Sequence, residues 1–303
     1  MSQEIHDVLV IGEGVAGLTA AGALARSGLK VATFEAQLFG GLVINVNELD
    51  PAPGAGAVSG AEFAANLMQA NAELGIASIQ EAVAELKTEG EMKQVVTAGA
   101  TYGARHVVLA SGARLRKLGI PGEAEFEGRG VSQCADCDGP MYQDEQVIVV
   151  GGGDSALQEA LVLARFCSKV HLIHRGGKFR AQDHFVAQVG ANPKIATIWN
   201  ATVEQIAGSR MVEQARVKFS DGRVQEIPCA GVFAYIGLVP NSEFLPAGIA
   251  RDESGFVVTA DSLETTLPGI WAIGAVRGGC GGALDDAISE ARRAAEAIRH
   301  RFT

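Results

Sequence analysis

Two cysteines separated by two residues, Cys134 and Cys137 in the stretch CADCDG, form the most reactive constellation in the chain. A CxxC pair opens and closes its disulfide without large backbone movement, and its first thiol tends towards a lowered pKa that favours thiolate attack. The next residue, Asp138, brings a carboxylate able to act as acid or base for a leaving thiol. The rival chemistries are structural zinc and an inert pair. Zinc needs about four ligands, but Cys167, Cys229 and Cys280 are single and scattered, and no histidine stands at a matching spacing. We read the pair as redox-active and expect no metal. Cys167, placed in a helix, and Cys229, placed on a strand, read as small buried apolar residues.

Electrons for such a pair need a source, and two glycine-rich turns offer one. Gly12, Gly14 and Gly17 stand at G-x-G-x-x-G spacing after an apolar run, Asp7–Ile11. Gly12 suits a tight turn, Gly14 lets a pyrophosphate approach the backbone, and Gly17 lets helix and strand pack closely. Glu35, which follows Gly14 by 21 residues, ends the next strand and can accept hydrogen bonds from ribose hydroxyls. The helix N-terminus supplies free N–H groups for the phosphates. The pattern returns as Gly151, Gly153 and Ala156, with Asp154 and Ser155 between the last two. Here Arg175 follows the second strand in place of an acid, and Arg180 stands close behind it. A guanidinium at this point suits a 2′-phosphate and implies NADP(H) over NAD(H).

The elements needed to carry these turns are legible. Strand Asp7–Ile11, helix Ala16–Ser27 and strand Leu29–Phe34 make one βαβ unit; strand Val147–Val150, helix Ser155–Phe166 and strand Lys169–His174 make a second. Strands running into glycine turns recur at Ala104–Ala113, Cys229–Asn241 and Leu267–Val276, and an amphipathic segment, about Ala287–Arg301, closes the chain. Arg114–Glu123 and Leu238–Phe244, rich in Pro, Gly and polar residues, read as crossovers between domains. The chain has 303 residues with a net charge of −10. That charge and the lack of a basic run argue against nucleic acid and anionic membrane surfaces. No apolar run reaches the length of a membrane span and no signal pattern opens the sequence, so the cytoplasm is expected. In a reducing compartment a close cysteine pair is catalytic or metal-binding more often than structural.

In order along the chain, IGEGVAGLTAA, GGLVINVNELDPAPG, VVLASGA, CADCDG, GGGDSALQEA, HRGGKFR, GVFAYIGLVPN and GIWAIGAV resemble the low-molecular-weight, bacterial-type thioredoxin reductases, within the class II pyridine nucleotide-disulfide oxidoreductases. The resemblance covers nearly the whole length. It implies an α/β fold of two Rossmann-like dinucleotide-binding domains (three-layer ββα), with an NADPH domain inserted into a discontinuous FAD domain. The expected division is 1–115 and 244–303 for FAD and 116–243 for NAD(P)H with the CxxC. The resemblance further implies FAD and NADPH as cofactors, a homodimer, and electron flow from NADPH through FAD and the Cys134–Cys137 disulfide to a thioredoxin-like protein. Cys137 would face the flavin, Cys134 would attack the partner, Asp138 would manage protons, and the NADPH domain would swing between two orientations. FAD contacts would come from Gly12, Gly14, Ala16, Gly17, Glu35, Gly40, Gly41, Leu42, Val83, Ala110, Ser111, Gly112, Gly274, Ala275, Asp286 and Ala287. NADPH contacts would come from Gly151, Gly153, Asp154, Ser155, Ala156, Arg175 and Arg180.

Several positions depart from the family pattern. Ala275 stands for the Asp that holds the ribityl chain; one lost charge-assisted hydrogen bond costs roughly 1.5–3 kcal/mol, so weaker FAD retention is expected. Leu284, Asp285 and Asp286 replace a Tyr-Arg-Gln run, Leu42 replaces Gln, Pro51 replaces Asn, and Gly176 replaces an Arg. Asp285 or Asp286 reads as a cap of the last helix, or as a charge beside the flavin's pyrimidine end. Cys280 reads as a small loop residue. Asp136 replaces the Thr between the cysteines, and its charge should raise a neighbouring thiol pKa. These changes leave three readings: an NADPH-dependent disulfide reductase, a related flavin oxidoreductase with another partner (a small dithiol with oxygen, or a donor other than NADPH), and a non-enzymatic flavin- or nucleotide-binding sensor.

Overall fold

The computed structural model describes residues 4–46, 49 and 59–302; Pro51 lies outside the described residues. The chain divides into two compact units, Met1–Arg114 with Val239–Thr303, and Leu115–Leu238.

The first unit opens with β1 (Glu4–Ile11), α1 (Val15–Arg26) and β2 (Val31–Phe34). It continues through α2 (Gly60–Glu73), β3 (Ala77–Ile79), β4 (Val83–Glu89), β5 (Met92–Thr97), β6 (Thr101–Leu109) and β7 (Ala113–Leu115). Its sheet runs β3-β2-β1-β6-β5-β4, with β1 parallel to β2 and β6. The strands of the parallel part read as unbroken apolar runs because both faces are covered: Val8, Leu9, Val10, Val107, Val108 and Leu109 are all fully buried.

The second unit holds β8 (Val131–Ser132), α3 (Ala135–Asp138), β9 (Gln146–Gly151), α4 (Asp154–Leu163), β10 (Lys169–His174), α5 (Asp183–Ala191) and β11 (Ile195–Trp199). An antiparallel sheet follows, β12 (Ala201–Gly208), β13 (Val212–Phe219) and β14 (Val224–Pro228), and then β15 (Gly231–Tyr235). The parallel sheet has the order β11-β10-β9-β15-β8. The chain returns through β16 (Leu238–Pro240) to β17 (Ile270–Ala272) and α6 (Leu284–Arg299) in the first unit.

Strand β17 completes the first sheet by pairing with residues 107–109 of β6, while β5 pairs with the opposite end of β6. Helix α6 turns Ile288, Ala291, Ala294, Ala295 and Ile298 inward at helical spacing, and the last four share a core with Ala16, Ala20, Ala21 and Leu24 of α1. Cys167 and Cys229 are buried, but neither sits inside its expected element: Cys167 lies past the end of α4 and Cys229 past the end of β14. Among the described residues no helix is long and apolar enough to cross a membrane.

Candidate redox and dinucleotide sites

In the first unit the glycines of the opening turn divide into two kinds. A Cβ on Gly12 would stand 2.3 Å from the Ala110 carbonyl oxygen, and one on Gly17 would stand 1.9 Å from the Gly12 oxygen. These two exist so that backbone can meet backbone. At Gly14 the nearest atom is the Gly40 oxygen at 3.9 Å, and at Gly112 nothing lies within 4 Å. Those positions are open to a ligand. Gly14 is the N-cap of α1 and, as a glycine, brings no capping side chain to the helix's first N–H groups. Gly14 and Gly40 form a β-bridge, and a Cβ on Gly41 would lie 3.4 Å from the Gly14 Cα. Gly12, Gly14, Ala16, Gly17, Gly40, Gly41 and Ala110 therefore come together. This arrangement fits a dinucleotide pyrophosphate, which needs backbone donors and no Cβ in its path.

Glu35 accepts from three backbone N–H groups: Glu13 at 3.0 Å, Ala36 at 2.8 Å and Gln37 at 3.0 Å. The carboxylate is fixed at the end of β2, with acceptor capacity left for ribose hydroxyls. Val83 opens β4 and packs on the core that holds Phe34 and Leu109. Ser111 donates its hydroxyl to the Asn241 carbonyl at 2.7 Å, and Asn241 returns a side-chain N–H to the Ser111 oxygen at 2.8 Å. Its side chain thus ties the two segments of the unit together.

After β17, Gly274 turns with φ +68°, and its Cα approaches α1 so closely that a Cβ would sit 2.9 Å from the Ala16 Cβ. This sets Ala275 beside the opening turn. The Gly274 N–H donates to Glu290 Oε2 at 2.8 Å, and Arg277 Nε donates to Glu290 Oε1 at 3.1 Å. Neither Glu290 nor Arg277 belongs to a motif visible in the sequence. Asp286 accepts from the Ala283 N–H at 3.3 Å and so closes the first turn of α6, with Ala287 packed on the core behind it.

The second unit repeats the logic. A Cβ on Gly151 would meet the Tyr235 oxygen at 2.4 Å and the Ala156 Cβ at 2.6 Å, whereas Gly153 has nothing within 4 Å. Gly153 caps α4, again with no capping side chain of its own for the helix's first N–H groups. Asp154 accepts from Gln182 through its backbone N–H at 2.7 Å and its side chain at 2.9 Å. Those two bonds hold its carboxyl below the usual range and tie the turn to the segment after β10. Ser155, next on the helix, is exposed. The buried His174 faces the Gly151 carbonyl at 3.1 Å and the Lys178 carbonyl at 3.0 Å, and so packs the turn against the same segment. Arg175 and Arg180 are exposed, and among the described residues no hydrogen bond or ion pair holds either guanidinium.

Cys134 and Cys137 are joined as a disulfide with Cα atoms 5.3 Å apart. Cys134 is the N-cap of the one-turn helix α3, and its Sγ accepts from the Cys137 N–H at 3.1 Å. Cys137 is exposed and Cys134, Asp136 and Asp138 half-buried. Asp138 acts on Tyr142, whose hydroxyl is pushed up to about 12, by burial first and by that carboxylate second. Burial raises the Cys167 thiol to about 11 and the Cys229 thiol to about 12, which leaves both poor nucleophiles at neutral pH. Cys280 is also raised, mainly by burial. Among the described residues no group of three or more His, Cys, Asp or Glu is placed to hold a metal.

Residues 6–299 match the pyridine nucleotide-disulphide oxidoreductase family model. The thioredoxin reductase of Treponema pallidum is 39% identical over 90% of this chain and 89% of its own length. That of Bacillus subtilis is 37% identical over 99% and 96%. The crystal structure of Lactococcus lactis thioredoxin reductase superposes with a TM-score of 0.92 at 35% identity, covering 98% of each chain. The chain belongs to the thioredoxin-reductase branch of the pyridine nucleotide-disulphide oxidoreductases.

Against the pattern of the thioredoxin reductases, the departures now have places. Leu42 sits in the short 3-10 turn Gly41–Asn45 and is 46% exposed, a large apolar side chain left uncovered by the protein. Ala275 leaves the turn after β17 without a carboxylate of its own, and Glu290 holds that turn from behind. A Cβ on Gly176 would lie 3.3 Å from His174 Nε2, so a side chain there would crowd the imidazole. Asp136 lies on α3 between the cysteines.

Proposed function

We propose that the chain is an FAD-dependent NADPH:disulfide oxidoreductase that reduces a thioredoxin-like protein through Cys134 and Cys137. The observation that carries this reading is the disulfide itself, set on a one-turn helix in the unit that carries the second dinucleotide turn. Bound FAD would supply a two-electron relay between nicotinamide and disulfide. Gly12, Gly14, Gly40, Gly41 and Glu35 would hold its pyrophosphate and ribose; Gly153, Arg175 and Arg180 would hold the NADPH phosphates. In the half-reaction with the partner, the Cys134 thiolate attacks one sulfur of the partner's disulfide, whose other sulfur leaves as a thiolate. Cys137 then attacks Cys134 Sγ and expels the second partner sulfur, which restores the Cys134–Cys137 bond. Asp138 receives the Cys137 proton and passes it to the departing thiolate. We also place the enzyme in the cytoplasm as a homodimer, in keeping with its acidic charge and with the family resemblance.

The test is an anaerobic NADPH titration of FAD-loaded protein. Bleaching of the flavin, followed by reduction of added thioredoxin that vanishes in Cys134→Ser and Cys137→Ser, is expected. A flavin untouched by NADPH but bleached by a dithiol would overturn the donor assignment. Gly176 and Ala275 favour that second reading, since each removes a polar group from a cofactor-facing turn. Flavin inert to both would overturn the enzyme reading altogether.

A further inference from the structure

Helix α4 does more than cap a phosphate turn. Midway along it, Glu159 turns its carboxyl towards the redox helix and sits where three elements of the second unit converge. From β15, the buried Tyr235 donates its hydroxyl to Glu159 Oε2 at 3.4 Å. From α3, Ala135, the residue after Cys134, is fully buried in the core it shares with Tyr235 and with Ala156 and Ala160 of α4, and its backbone N–H draws the pKa of the same carboxyl down. From the same helix, the Asp136 carboxylate stands close enough to repel it.

We propose that Glu159 is a positioning residue for the Cys134–Cys137 pair, holding the peptide after Cys134 in place and setting by its own charge how readily a thiolate forms there. The proposal rests on the redox reading of the pair above. Burial, and then Asp136, push the Glu159 carboxyl up to about 7 against two hydrogen bonds that pull it down. Burial, followed by the Glu159 charge, holds the Tyr235 hydroxyl far above neutrality, so it stays a donor. The carboxyl therefore changes charge near neutral pH.

Reduction of the pair breaks the S–S bond with two electrons from the flavin relay. One sulfur takes a proton and the other is left as a thiolate. Below neutral pH that thiolate faces the carboxylates of α3, Asp136 and Asp138, with Glu159 neutral. Above it, ionised Glu159 adds one more negative charge, which disfavours the thiolate. Asp136 has the same sense by direct repulsion and a second effect through Glu159, because it delays the ionisation of that carboxyl.

The test is the pH profile of alkylation of the reduced pair in full-length, FAD-loaded Cys280→Ser protein. The disulfide is opened with a phosphine so that NADPH is not required, and the modified cysteine is located by mass spectrometry. The parent is expected to show a break in the log rate near pH 7, with a shallower rise above it. E159Q should lose the break and react about 3–10-fold faster above it, as a thiol shift of roughly half to one pKa unit would give. D136N should keep the break but move it to lower pH. A smooth single ionisation in the parent, or a break that survives E159Q, overturns the proposal. If E159Q does not fold, a break unmoved by D136N overturns it instead. A pair that the phosphine cannot open sinks the redox reading itself, whereas a reducible pair with a smooth profile sinks only the role of Glu159.

Discussion

Replacement of Glu290 by Ala separates a structural anchor from a bystander. Its carboxylate holds the Gly274 N–H at 2.8 Å and Arg277 Nε at 3.1 Å, and the two side chains of the pair are only 7% and 16% exposed. Removing one partner of a buried ion pair costs about 3–5 kcal/mol, because the other charge is left uncompensated. Arg277 keeps bonds to Thr259 Oγ1 at 3.3 Å and the Gly278 carbonyl at 2.9 Å, so the lower end applies. A loss of about 3 kcal/mol in a unit of this size lowers its melting temperature by roughly 6–12 °C. The chain has two tryptophans, and Trp271, 1% exposed, lies in the same unit as Glu290. Thermal unfolding followed by Trp271 fluorescence in a W199F background reports that unit selectively. The R277M/E290L double variant should recover part of the loss, since an apolar replacement of a buried pair is often neutral. A shift for E290A below about 0.5 kcal/mol, or strict additivity in the R277A/E290A cycle, would refute the anchoring argument.

Gly17→Ala should abolish folding, because its Cβ has the Gly12 oxygen 1.9 Å away, whereas Gly14→Ala should fold and lose FAD; circular dichroism beside flavin absorbance distinguishes the two outcomes. R175A should raise the KM for NADPH by about 10–200-fold, with little change for NADH, matching one charge-assisted hydrogen bond of roughly 1.5–3 kcal/mol; equal effects on both nucleotides would dismiss the 2′-phosphate role. The proton of Glu159 is held more tightly in the folded chain, at about 7, than at its ordinary 4.5. Its contribution to stability is therefore complete below about pH 4.5 and is lost as pH rises through about 7. Unfolding free energies from urea titrations should show parent and E159Q diverging by at most about 3–4 kcal/mol across that window, and an E159Q curve parallel to the parent's would contradict it.

The two glycine turns were legible because steric exclusion is local. Gly12 and Gly151 make contacts that no side chain would survive, Gly14 and Gly153 open onto space, and spacing alone distinguishes these roles. The antiparallel strands were not foreseen. In β12 the register slips between Val203 and Gln205, so the inward residues Val203 and Ile206 stand three apart and hide the alternation that marks a strand. A similar slip lies between Val83 and Glu85 in β4. Glu159 and Glu290 were invisible for a different reason. Each sits on a helix with an unremarkable sequence, and only tertiary packing brings Glu290 to the Gly274 N–H and Glu159 to the Tyr235 hydroxyl beside α3. The hydroxyl of Ser111 is committed to Asn241, a partner that no motif names.

The bond between Ser111 and Asn241 spans 130 positions, and the whole second unit lies between them. During synthesis this imposes an order. At ribosomal rates of about 5–20 residues per second, roughly 7–25 s pass between the two partners leaving the ribosome. For that interval β6 has β1 along one edge, but its far end waits for β17. The inserted unit, contiguous and already complete, can fold in the meantime. The first unit of such a molecule is assembled last although it is begun first, and its exposed strand edge is the point at which a chaperone, or another nascent copy, would first meet it.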